Sequence, residues 1–126
     1  MRGRIDAIAS DRRIAGPMLA VLAKGNAADA VVCGLFSAAV LEPSVLLGPA
    51  QILVGGTGVG MRAIDGRCRQ PGSGSKRPRG YLDGAPIPDA ARVATPGLPS
   101  AALLLHATFG SAAIGAIAPR SANRCR

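Results

Sequence analysis

Residues Gly25–Pro43, GNAADAVVCGLFSAAVLEP, constrain the fold more than any other stretch of the sequence. Asn26 suits a helix N-cap, because its side-chain oxygen can accept the free N–H groups of the first turn. Asp29 follows three residues later, where a capping-box acid reaches back, although Glu or Gln is usual there. From Ala30 to Leu41 only Ser37 is even mildly polar. A helix that is apolar on every side predicts burial on every side. Glu42 and Pro43 end it, since proline disfavours helical geometry in the residue before it. The chain has few large side chains with which to wrap this helix. There is no Trp, one Tyr and two Phe in 126 residues, so Ala, Val, Leu and Ile must build the core. Alanine and glycine bury little area each, and the length suits one domain rather than two. Exposed apolar surface beside Ala30–Leu41 is therefore expected, and with it aggregation or a partner.

The flanks read as a mixture of helices and short strands. Residues 4–9, RIDAIA, are a weak strand candidate. Ser10 and Asp11 can cap the next element, in which Ile14, Met18, Val21 and Leu22 share one helical face. The Gly16-Pro17 pair argues for a start at Pro17, a good first-turn residue. Lys24 complements the dipole at the end of that helix, and Gly25 suits a left-handed position past it. Residues 44–50 read as an apolar loop. Gln51–Val54 and Val59–Asp65 form a hairpin around the glycine-rich turn 55–58. Ala91–Thr95 reads as a short extended segment. Pro99–Phe109 is a helix with Gly110 past its end, and residues 112–118 form a further short helix. Residues 120–126 read as a frayed tail. No fixed repeat period is present.

Charge and composition narrow the function classes. The net charge is +8, from 15 Lys and Arg against 7 Asp and Glu. The segment 66–80, GRCRQPGSGSKRPRG, holds Arg67, Arg69, Lys76, Arg77 and Arg79 and no acid. It reads as a basic loop, either a solvated connector or an anion-binding segment. GSGSK lacks the spacing of a phosphate loop and no strand leads directly into it. A nucleic-acid partner is disfavoured, because so few aromatics leave no stacking platform for bases. Cys33, Cys68 and Cys125 give neither a disulfide framework nor a zinc pattern. His106, the sole histidine, reads as a surface residue of the last long helix, with no Ser/His/Asp set around it. Asp83 and Asp89 suit turns and caps. No metal or cofactor is expected. No signal-peptide core follows MRGR, and the longest apolar run is about half a membrane span. These features predict a soluble, cytoplasmic protein. Arg67, after a strand and a turn, is placed either to grip a carboxylate with two parallel hydrogen bonds or to sit in solvent.

The assembled motifs resemble the γ-glutamyltransferase (glutathione hydrolase) family. Lys24–Val31, KGNAADAV, is similar to the family's GGNAVDAAVA-like segment, and Leu41–Pro43 to its EP step. Ala63–Pro71, AIDGRCRQP, resembles the D-x-R-E-x-A-P-like turn and places Arg67 on the family's arginine. Thr95–Gly97 resembles the PG step that opens a helix, and Phe109–Gly110 the aromatic-Gly pair that ends it. Order and spacing agree from about Ile5 to Pro119.

The resemblance implies the N-terminal part of the large subunit of an N-terminal-nucleophile hydrolase. The expected fold is α/β, a partial αββα sandwich with a buried central helix and a short hairpin. Residues 1–119 would form the domain and 120–126 a tail. The resemblance also implies that Arg67 binds the α-carboxylate of a γ-glutamyl compound. The family's threonine nucleophile, whose own amine serves as its base, has no counterpart at Thr57, Thr95 or Thr108. A short or truncated member without turnover of its own is therefore expected, with a small-subunit-like partner chain carrying the nucleophile. Two departures stand out: the family's glycine-rich run is reduced to GPAQ at Gly48–Gln51, and its Arg-Glu pair becomes Arg67-Cys68. The alternatives are a basic interaction protein binding polyanions through Arg62–Arg79, and a non-functional gene remnant.

Overall fold

The computed structural model describes residues 6–69, 84, 86 and 92–117. Most of the basic loop, Asp83, Asp89, Cys125 and the 120–126 tail lie outside the described residues. The elements in chain order are α1 (Arg12–Leu22), α2 (Ala27–Leu41), a 3₁₀ helix (Pro43–Leu47), β1 (Gln51–Val54), β2 (Arg62–Asp65) and α3 (Leu98–Phe109). Residues 6–9 are not a strand, and Ile8 stands in solvent with no strand beside it among the described residues.

Helix α1 begins at Arg12 rather than at Pro17. Asp11 caps it by accepting a hydrogen bond from the Arg13 backbone N–H at 2.7 Å, and an N-cap of this kind stabilises a helix by about 1 kcal/mol. Pro17 is tolerated inside the helix, where its ring is buried. Val21 is buried and Ile14, Met18 and Leu22 half-buried, as the spacing predicts. Gly25 is not left-handed. Its lack of a side chain answers a close approach instead, because a Cβ there would stand 2.5 Å from Asp29 Oδ2. Helix α1 packs on α2 through a similar approach, with the Met18 sulfur 2.6 Å from where a Gly34 Cβ would lie.

Helix α2 begins at the expected cap and carries the full capping box between Asn26 and Asp29. It is not buried on every side. Ala28, Val32, Cys33 and Ser37 are buried, Val31, Leu35 and Phe36 are half-buried, and Val40 is 42% exposed. Helices α1, α3 and the 3₁₀ helix pack on α2, and the small side chains of this chain leave it partly open at Val40. The 3₁₀ helix itself replaces the loop expected over residues 44–50, with Pro43 in its first turn.

Strands β1 and β2 pair antiparallel, Ile52 opposite Ile64 and Leu53 opposite Ala63. Side chains alternate between faces along a strand. Ile52 and Ile64 enter the core beside Val21, Val32, Leu105 and Ile117, whereas Leu53, on the outer face, is 71% exposed. Fully burying a side chain such as Leu105 stabilises the fold by about 1.5–3 kcal/mol. The second strand starts at Arg62, three residues later than predicted. Residues 55–61 form the wider turn, with Gly58 and Gly60 in left-handed backbone at φ 81° and 68°. Of the helix expected over 112–118, residues 114–117 form a single helical turn, and residue 118 lies outside the described residues. Among the described residues the fold is thus helix-rich with one two-stranded hairpin, and no helix is long and apolar enough to cross a membrane.

Candidate functional site

Arg67 follows β2 after a single residue, and three backbone approaches fix where it stands. Gly66 N donates to Ala50 O at 2.9 Å, carrying the hairpin register one step past the strands. A Cβ on Gly66 would lie 2.8 Å from the Ala101 Cβ of α3. Gly97, the residue capping α3, is so close to the Arg67 carbonyl that no side chain fits between them. Two residues on, Arg69 and Thr95 exchange backbone hydrogen bonds of 2.9 and 2.7 Å. The expected extended segment is therefore present at Thr95, where it pairs with the chain that follows β2. These contacts hold the Arg67 backbone against the start of α3.

The Arg67 side chain is 62% exposed and faces Asp65, itself 41% exposed. Arg67 Nε donates to Asp65 Oδ1 and Nη2 donates to Oδ2, both at 3.0 Å. The Arg67 backbone N–H also donates to Oδ1 at 3.0 Å. The side-chain bonds and then the backbone bond hold the Asp65 carboxyl well below its usual range, at about 2. The same pairing raises the Arg67 guanidinium. Of the basic residues in the 66–80 segment, Arg67 and Arg69 alone fall among the described residues, and both are exposed.

A second polar cluster lies at the other end of α3, and the sequence reading missed most of it. Asp29 is fully buried. Its Oδ2 accepts from Asn26 N at 3.0 Å, Ser111 Oγ at 2.9 Å, Ser111 N at 3.1 Å and Ala112 N at 3.1 Å. Asn26 Nδ2 donates to the Phe109 carbonyl at 2.7 Å. Burial pushes the Asp29 carboxyl up, but the hydrogen bonds from Asn26, Ser111 and Ala112 outweigh it and hold the group below its ordinary value. His106 is not a surface residue: its side chain is only 18% exposed. Its Nε2 lies 2.8 Å from Ala112 O and 3.5 Å from Asp29 Oδ1. A carbonyl only accepts, so Nε2 carries the proton. The signal in the sequence was an acid at the head of an apolar helix together with Gly110-Ser111 after α3. The capping box accounted for the acid locally and concealed its second role.

This cluster holds α2 to the end of α3. Ser111 Oγ donates to the buried Asp29 carboxylate at 2.9 Å, and a carboxylate held below its ordinary value is a weak base, so this bond anchors the hydroxyl rather than activating it. Thr108 Oγ1 donates to Leu104 O at 2.8 Å, and Thr57 and Thr95 are exposed. Among the described residues no group of three His, Cys, Asp or Glu could hold a metal. A small apolar cleft lies between α2, β1 and α3, about 130 Å³ in volume and lined by Ala27, Val31, Ile52, Val54 and Leu105 among others. It sits toward the turn end of the hairpin, whereas Arg67 extends from the opposite end.

Comparison with solved structures identifies the fold. The γ-glutamyltranspeptidase of Pseudomonas nitroreducens, in complex with L-DON, superposes with a TM-score of 0.81 at 22% identity, covering 100% of this chain and 39% of that one. The fold is that of the γ-glutamyltranspeptidases. The enzyme of Helicobacter pylori matches at TM-score 0.76 and 18% identity, over 96% of this chain and 38% of its own. The Bacillus anthracis transpeptidase CapD matches at 0.73 and 22%, over 97% and 39%. The chain thus spans under two-fifths of the length of each of these γ-glutamyltranspeptidase-fold proteins. No protein-family model and no curated protein matches the sequence.

Proposed function

We propose that this chain is a γ-glutamyltransferase-like protein in which Arg67 grips the α-carboxylate of a γ-glutamyl compound. The reading is carried by one observation: an exposed arginine, backbone-locked against the head of α3, within the γ-glutamyltranspeptidase fold. Arginine suits the task because its planar fork donates two parallel hydrogen bonds to a carboxylate. The nucleophile and the remaining layers of an αββα sandwich lie outside these 126 residues, in a small-subunit-like partner or in further sequence, and these residues have no turnover alone. The threonine and serine environments support that division, as do the outward Leu53 and the partly open side of α2.

The test uses γ-glutamyl p-nitroanilide and its decarboxylated analogue, 4-aminobutyryl p-nitroanilide. The chain is expected to bind the first and to discriminate against the second. Arg67→Ala should abolish that preference, at a cost in affinity on the order of tenfold. No chromophore should be released. Equal binding of both anilides, or release above a denatured control, would overturn the reading.

A further inference from the structure

Asp65 and Arg67 meet on one side only of the guanidinium. The two contacts use Nε and Nη2, the edge nearest the stem of the side chain. Asp65 leaves unused the outer end of the fork, formed by Nη1 and the second N–H of Nη2. That outer edge offers another parallel pair of donors. The Arg67 backbone N–H closes the same turn onto Asp65, and Gly66 and Gly97 fix that backbone against α3. The side chain is therefore held at its base by the fold and along its length by Asp65.

We infer that Asp65 is the positioning residue for Arg67: it clamps the inner edge of the guanidinium so that the outer edge is presented to the ligand carboxylate. This rests on the carboxylate-binding reading of Arg67 given above. Simple charge counting predicts the opposite, since an adjacent carboxylate should repel an anionic ligand and compete for the arginine. Geometry and charge counting therefore give opposite signs for the effect of removing Asp65. An arginine left loose must lose side-chain freedom when it binds, and pre-ordering removes that cost.

Asp11 and Arg13 provide an internal control. Arg13 Nε and Nη2 also hold Asp11, both donating to Oδ2 at 3.0 and 2.7 Å with a longer Nε contact to Oδ1 at 3.2 Å, and the Arg13 backbone N–H donates to Oδ1 at 2.7 Å. That pair caps α1 and has no part in the proposed site. In the full chain with ¹⁵N-labelled arginine, Asp65→Asn should release the Arg67 Nε–Hε signal to that of a freely moving arginine and leave the Arg13 signal unchanged. Affinity for γ-glutamyl p-nitroanilide should fall on the order of tenfold, with its preference over the decarboxylated analogue reduced. Asp65→Glu, which keeps the charge on a longer stem, should recover part of both. Unchanged or tighter binding by Asp65→Asn, with the wild-type preference for the carboxylated ligand intact, overturns the positioning role and leaves the carboxylate-binding reading standing. Absence of that preference in the wild type overturns both.

Discussion

Asp29 and Asp65 are both carboxylates held ionised by hydrogen bonds, and they do opposite work. Asp29 is buried, and its partners at Ser111 and Ala112 lie 82 and 83 residues away in sequence. Asp65 is exposed, and its partner is two residues away. The first pins two helices together and cannot be removed without orphaning backbone donors inside the protein. The second shapes one side chain at the surface, where a lost ion pair changes stability little. Helix α3 joins the two regions, with Asp29 at its end and Arg67 at its head. One carboxylate serves the fold, and the other lies at the surface beside the proposed carboxylate-binding arginine.

The largest expected effect is at Asp29. Asp29→Ala leaves the N–H groups of Asn26, Ser111 and Ala112 without their acceptor, and should cost about 3–5 kcal/mol in chemical denaturation. Asp65→Asn should lower the denaturation midpoint far less, since solvent screens an exposed pair. Equal losses at the two positions would break the distinction between them.

Next is the glycine that seats Arg67. A Cβ on Gly97 meets the backbone of Gly66 and Arg67, which cannot swing aside as a side chain can. Gly97→Ala should destabilise by about 1–3 kcal/mol and also weaken γ-glutamyl anilide binding. Gly34→Ala meets only the flexible Met18 side chain, so it should cost less and leave binding intact.

Acid should separate the carboxylates further. The folded-state value of Asp29 is depressed, so its contribution is present above the unfolded value, near 3.8, and is lost as pH falls through the folded one. Asp65, depressed to about 2, acts with the same sign. Stability measured from pH 5 down to pH 2 should decline, and Asp29→Asn should flatten most of the decline. If Asp65→Asn flattens it more, the buried cluster is not the acid-sensitive element.

The smallest effect concerns Ser37, whose buried Oγ has no hydrogen-bond partner. Ser37→Ala should be neutral or stabilising by up to about 1 kcal/mol.

Much of the fold was legible because local rules decided it. The Asn26–Asp29 capping box, β1 at its observed bounds and the span of α3 all follow from caps, turns and proline placement within a few residues. The errors arose where distant contacts overrode local preference. Gly25 looked like a left-handed cap, but its hydrogen side chain makes room for Asp29. Pro17 looked like a helix start, but Asp11 caps the helix six residues earlier. His106 looked exposed because its partners, Ala112 O and Asp29, are brought to it only by the turn at Gly110-Ser111. Arg67 was legible as a candidate from its position after a strand and turn. Its clamp by Asp65 was not drawn from the sequence, although the D-x-R spacing occurs twice and pairs the aspartate with the arginine both times, once at a helix cap and once at a strand end.

The most direct test of the account is a ¹H–¹⁵N titration of the intact chain with γ-glutamyl p-nitroanilide. Shifts are expected to concentrate at residues 65–69 and 95–97 and to be absent in Arg67→Ala, with residues 26–29 and 106–112 unmoved. Shifts centred on the Asp29 cluster, or on the apolar cleft at Ala27 and Val54, would contradict it.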